Sequence, residues 1–294
     1  MLSIQTLNQQ FALGDFLKFA DHPSGLMMGL VKTPLCEARF FLQGAHVSHF
    51  HPTHTQRPIL FMSEAAVYEP GRPIRGGIPI CFPWFSSHPT QPTLPAHGWA
   101  RTSVWQVTST RFASNQLEIT LTLEHDDWQL TYHLTFGADL RASFEAKNAG
   151  PNPRSFEIAL HTYFDIGAIQ DTEITGNLSA LPYLDQLTSE IHPPLSAPIK
   201  FQAETDRIYH GSAPNIQIHD ERFSRVIHIH AENSNSTIVW NPWIAKSIRM
   251  ADFGNDEYLR MCCVETANVR QHAITLAPHQ AHVTQLTITV ENPT

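Results

Sequence analysis

The chain is short of several things, and each shortage excludes something. Only four cysteines occur in 294 residues, at Cys36, Cys81, Cys262 and Cys263. None forms a CxxC pair, and an adjacent pair makes a poor disulfide framework. Reduced, buried thiols in a cytoplasmic protein are therefore expected. Charged residues make up 16% of the chain, and the basic ones are the minority, 19 Lys and Arg against 27 Asp and Glu. The resulting net charge of −8 argues against broad binding to nucleic acid or an anionic membrane. A local basic pocket for one phosphate stays possible. No apolar run approaches the ~18 residues of a membrane helix. The start, MLSIQTLNQQFALGDF, has no charged n-region and no long apolar stretch, so no signal peptide is expected. Walker loop, GxSxG elbow, HExxH and GxGxxG are all missing.

What is present is short alternation of apolar and polar residues. In Leu117-Glu118-Ile119-Thr120-Leu121-Thr122-Leu123 the period is two over seven positions, the pattern of a half-buried strand. Similar runs are Leu26–Lys32, Ala38–Leu42, His46–His51, Ile59–Met62, Val104–Arg111, Gln129–Phe136 and Arg141–Lys147. After a Pro-rich turn at 151–153 they continue through Arg154–His161, Thr172–Thr175, Ile216–His219, Arg225–His230, Ser236–Trp240, Leu259–Glu265 and His282–Val290. Only Trp243–Met250 and Asp185–Ile191 are candidates for helix. Many strands without alternating helices point to an all-β, antiparallel sandwich or barrel. No linker composition interrupts it, so residues 1–294 are expected to form one domain.

Chemistry concentrates in four stretches. Arg75-Gly76-Gly77 opens a Pro- and aromatic-rich segment ending in Phe82-Pro83-Trp84-Phe85. Paired glycines allow positive φ and close backbone approach. Aromatics beside a cation suit a sugar ring, although a buried turn with an incidental Arg fits as well. Pro95-Ala96-His97-Gly98-Trp99-Ala100-Arg101 repeats the theme. Arg75 and Arg101 could bracket one anion, or each could pair with a surface carboxylate. His161 ends an alternating strand on the face of Ser155, Glu157 and Ala159, small or polar neighbours that could line a cavity. Glu265 shares a strand face with Met261 and Cys263, and a carboxylate among apolar neighbours needs a partner or a function. The cluster His46, His49, His51 and His54 does not converge as a zinc site requires, so no metal is expected.

Taken together, RGGIPICFPWF, LPAHGWAR, ALHTYFDIG, TDRIYH, WNPW and CCVETAN occur in one order. That series resembles the hexose-6-phosphate mutarotases, the glucose-6-phosphate 1-epimerase branch of the aldose 1-epimerase superfamily. The similarity runs from about Leu42 to about Ala267. It implies a large antiparallel β-sandwich of the galactose mutarotase type, with no metal and no organic cofactor. It implies that His161 and Glu265 are catalytic. It implies that Arg75, Arg101, Asp206 and His97 bind substrate, a small sugar phosphate, in a protein expected to be a monomer. Some relatives carry Gln where Ala96 stands, and Asp165 has no assigned role.

The implied reaction converts one hemiacetal anomer into the other through the open-chain aldehyde. It needs a proton taken from the C1 hydroxyl and one delivered to the ring oxygen. Glu265 as carboxylate and His161 as imidazolium fit those parts, opposite charges favouring both charged forms. Two alternatives remain. One is an aldose 1-epimerase acting on unphosphorylated sugars. The other is a sandwich that binds carbohydrate without catalysis.

Overall fold

A computed structural model describes residues 2–292. Apart from two short helices and a few single turns, its regular structure is antiparallel strand. Nine strands form the larger sheet, in the order Ile199–Lys200, Thr172–Gly176, Asn215–Asp220, Arg225–Glu232, Ala281–Glu291, Leu140–Asn148, Trp128–Phe136, Gln116–His125 and Gln106–Ala113. The second sheet has eight strands and centres on Thr205–His210, Ser236–Asn241 and Met261–Asn268. A four-stranded meander, Leu17–Asp21 to His46–Pro52, and a two-stranded ribbon complete the architecture.

Alternation along the strands decides what each face buries. Ile119, Phe144, Ile218 and Ile227 from the larger sheet share one buried cluster with Leu160, Val239, Cys262 and Val264 from the second. The other face of the second sheet carries Ala159, Ile208, Ile238, Trp240, Met261, Cys263 and Ala267 in a separate cluster. Met261-Cys262-Cys263-Val264 therefore feeds two cores by turns, and all eight residues of its strand are buried. All four cysteines are buried and free. Among the described residues no helix is long and apolar enough to cross a membrane.

Several expectations need correction. Asp185–Ile191 is not helical: Tyr183–Asp185 pairs with Glu190–His192 as a hairpin, and Asp185 Oδ1 accepts from Leu187 N in the turn at 2.9 Å. Asp favours turns because its side chain offers the backbone such a bond. The Arg154–His161 run is two strands, not one. Arg154–Phe156 pairs with Ile274–Leu276, whereas Ile158–Leu160 joins the second sheet. Glu157 lies at the break, and its carboxylate accepts from the backbone N–H groups of Phe85 at 2.7 Å and Arg270 at 2.6 Å. The helix Ile4–Phe11 was not expected; Ile4, Leu7 and Phe11 share its core-facing side, and Ser3 caps it by accepting from Thr6 N at 3.1 Å. Trp243–Arg249 forms the expected second helix.

Candidate active site

His161 and Glu265 come together through strand register. The pairs Leu160↔Thr266 and Tyr163↔Cys263 belong to one continuous register, which leaves His161 opposite Glu265. Side chains directly opposite on antiparallel strands share a face and touch. Here His161 Nε2 lies 3.3 Å from Glu265 Oε1. The ring of His161 stacks on Tyr163, with centroids 4.8 Å apart and planes within 10°, and Trp240 meets both rings edge-on.

The pair sits in a cavity of about 280 Å³. Arg75, His97, Asp206, Trp240 and Lys246 line it as well, with Phe85, Ser86, Gln186 and Met250. A larger hollow of about 430 Å³ lies beside Trp84, Trp99 and Trp128. Of its two carboxylates, Glu157 is committed to backbone N–H groups and Asp126 lies 3.1 Å from His125 Nε2, so the smaller cavity holds the more suitable chemistry.

Burial governs the protonation of the pair. It pushes the Glu265 carboxyl well above its usual range, an effect reinforced by Asp206 and opposed by Arg101. It also holds the His161 imidazole well below its ordinary value, and the charges of Arg75 and Arg101 add to that. Both directions favour the neutral pair with the proton on the carboxyl. The ion pair expected from proximity alone is thus opposed by the removal of water. Glu265 Oε2 and His161 Nδ1 are buried without hydrogen-bond partners. Unpaired buried polar atoms are costly unless a ligand or water meets them.

Arg75 points into the cavity. Its Nε and Nη2 donate to Asp252 Oδ2 at 3.2 and 3.1 Å, and its Nη1 donates to the Tyr163 hydroxyl at 2.9 Å. Burial works against its charge, but Tyr163 and Asp252 outweigh that and raise its pKa. The neighbouring glycines approach protein backbone. At Gly77, with φ of +62°, a Cβ would stand 2.2 Å from the Val47 carbonyl and 2.7 Å from His46 Nε2. Phe82 is fully buried packing, while Phe85 reaches the cavity wall.

Arg101 is not among the residues lining this cavity. Its Nη2 donates to the Ala96 carbonyl at 2.8 Å, and its Nε is buried without a partner. His97 lines the cavity with its ring 5.8 Å from that of His161, and its Nδ1 accepts from Ser86 N at 3.3 Å. Asp206 Oδ1 accepts from Gln186 at 2.6 Å, and Lys246 lies 3.5 Å from its Oδ2. Burial raises the Asp206 carboxyl, partly offset by those two neighbours. Asp165 lies outside the cavity lining and close to Arg225, with burial pushing it up to about 6. Cys81 is buried, and its thiol is pushed up to about 12 by burial.

Sequence reasoning missed Gln186, Lys246, Tyr163 and Asp252 as parts of the site. Tyr163 lies in the HTYF motif and Trp240 in the WNPW motif, neither with a role assigned from sequence. Lys246 and Asp252 carry no local signal, since a half-exposed Lys and a loop Asp are ordinary residues.

A buried acid–base pair, a guanidinium and an aromatic wall on one face of an antiparallel sandwich are the parts of a carbohydrate-converting site. The chain belongs to the aldose 1-epimerase family: the family model, described as aldose 1-epimerase, matches residues 30–289. A protein of Cenchrus ciliaris named "Putative glucose-6-phosphate 1-epimerase" is 31% identical over 286 residues, covering 90% of this chain and 84% of its own. A protein of the same name from Escherichia coli K12 is 30% identical over 268 residues, covering 87% and 88%. The solved structure of a Salmonella typhimurium protein titled a "putative mutarotase (YeaD)" superposes with a TM-score of 0.89 at 26% identity, covering 96% of both chains. The sandwich is accordingly of the galactose mutarotase-like type.

Proposed function

We propose that this protein interconverts the α and β anomers of a hexose 6-phosphate by acid–base-catalysed ring opening and closure. Glucose 6-phosphate is the substrate to test first. The observation that carries this reading is the His161–Glu265 pair, 3.3 Å apart and buried, in one cavity with Arg75. The names of the relatives support the phosphorylated substrate.

The pair shares one mobile proton. Burial favours that proton on Glu265, and its transfer to His161 Nε2 yields a carboxylate and an imidazolium. The carboxylate then takes the proton of the C1 hydroxyl. As the bond between C1 and the ring oxygen breaks, its electrons pass to that oxygen, which receives the proton of His161. Ring opening therefore returns the pair to its neutral form. Burial makes the charged pair costly to form, and that cost is returned as both protons exchange with the sugar. Rotation about C1–C2 presents the other face of the aldehyde, and closure runs the transfers in reverse. Arg75 anchors the phosphate meanwhile, which restricts the search of a flexible open chain. Asp206 and His97 complete the substrate contacts in this reading, while Arg101, outside the lining, contributes its charge to the site.

Four buried free thiols support a reducing, cytoplasmic setting. The test is an NMR or polarimetric assay of anomerisation on glucose 6-phosphate and on glucose. Acceleration of the phosphorylated sugar well beyond the free one is the expected result. Equal acceleration would favour an aldose 1-epimerase, and binding without acceleration a carbohydrate-binding sandwich.

A further inference from the structure

We propose that Lys246 is a specificity-determining residue, the second cation that receives the substrate's phosphate at the mouth of the cavity. This deepens the proposed function and rests on it.

The side-chain exposures of the lining residues order them by depth. Glu265 is 1% exposed and His161 9%. Asp206 is 18% exposed, Arg75 22% and Lys246 31%. A hexose 6-phosphate with its C1 end at the buried pair therefore turns its phosphate toward the exposed end. Two lining residues there have basic side chains long enough to reach an anion, Arg75 and Lys246. Arg101 does not line the cavity, and its Nη2 is engaged with the Ala96 carbonyl.

The two cations are held differently. Arg75 is fixed by three hydrogen bonds to Asp252 and Tyr163, which leaves one Nη1 and one Nη2 hydrogen for a ligand. Lys246 Nζ lies 3.3 Å from Glu204 Oε1 and 3.5 Å from Asp206 Oδ2, long contacts on a half-exposed side chain. Both contacts are longer than a good charge-assisted hydrogen bond, so a doubly charged phosphate can compete for the ammonium. The face of Trp240 lies 5.6 Å beneath the ammonium and limits where it can move. A flexible ammonium suits an anion that must stay bound while C1 changes configuration, since it can follow the phosphate as a point charge. Release of Asp206 from Lys246 also frees a carboxylate oxygen to accept from a sugar hydroxyl.

The experiment compares wild type, Lys246→Met and Lys246→Arg in steady-state anomerisation of glucose 6-phosphate and glucose, with inorganic phosphate as inhibitor. In Lys246→Met, kcat/KM for glucose 6-phosphate should fall about tenfold more than for glucose, the size of one lost charge-assisted hydrogen bond. The loss should appear mainly in KM, and inhibition by phosphate should weaken in parallel. Lys246→Arg should recover most of the difference. An equal fall for both sugars would overturn the proposal, because Lys246 would then only position Asp206. Unchanged KM and unchanged phosphate inhibition would overturn it too. A wild type that does not distinguish the two sugars would overturn the proposed function itself and this inference with it.

Discussion

His161 and Glu265 face each other across neighbouring antiparallel strands, with Nε2 3.3 Å from Oε1 and both side chains shut off from solvent. Their separation in sequence is large, yet the register of two short strand pairings sets their distance. Rigid strands hold such a pair more tightly than loops do.

Removing either member should abolish most of the chemistry. His161→Ala and Glu265→Gln should each lower kcat for anomerisation by roughly 10²–10⁴-fold. Circular dichroism should show an intact sheet in both. Near wild-type rates in a folded variant would refute the assigned roles.

Arg75 should matter most for the phosphorylated sugar. In Arg75→Ala, kcat/KM for glucose 6-phosphate should drop at least about tenfold more than for glucose, from loss of a charge-assisted contact. Parallel saturation curves for the two sugars provide the measurement. Equal losses would remove the anchoring role.

His46 should make the fold acid-sensitive. It is buried beneath Gly77, and burial lowers its pKa to about 3, with Arg101 adding to the shift. The unfolded chain, at an ordinary value near 6.5, binds a proton that the folded state refuses. Its contribution is therefore present above about pH 6.5 and is lost as pH falls toward 3. Between pH 7 and pH 4 the loss is on the order of 3 kcal/mol. Urea unfolding across that range should show it, and His46→Gln should lessen the dependence, leaving the part due to His161 and His97.

Gly98 should tolerate no side chain. Its φ is +74°, and a Cβ would stand 1.9 Å from the Phe82 carbonyl oxygen. Gly98→Ala should cost about 2–4 kcal/mol through backbone displacement. Thermal unfolding measures it directly. Because His97 precedes this residue, anomerisation should weaken alongside stability.

Legibility in the sequence varied by the range of the cause. Leu117–Leu123 announces its strand because alternation is a property of consecutive residues. Asp185–Ile191 was misread because a tight hairpin and a single helical turn look alike over seven residues. Glu157 looked like one more polar position in an alternating run. Its role in holding Phe85 and Arg270 depends on two distant backbone segments. The N-terminal helix was missed because its apolar pattern, Ile4, Leu7 and Phe11, spans only about two turns.

The sequence by itself determined the antiparallel sandwich, the shared face of Met261, Cys263 and Glu265, and the motifs that carry the family resemblance. Those follow from period-two patterning and from short runs whose order survives in one dimension. Only the tertiary structure decided that His161 meets Glu265, that Arg75 is clamped by Asp252 and Tyr163, and that Lys246 reaches the cavity. It also showed that burial works against the charged form of each member of the acid–base pair. Proximity can be guessed from motifs, but the protonation state depends on how completely surrounding side chains exclude water, and that is a property of the packed fold.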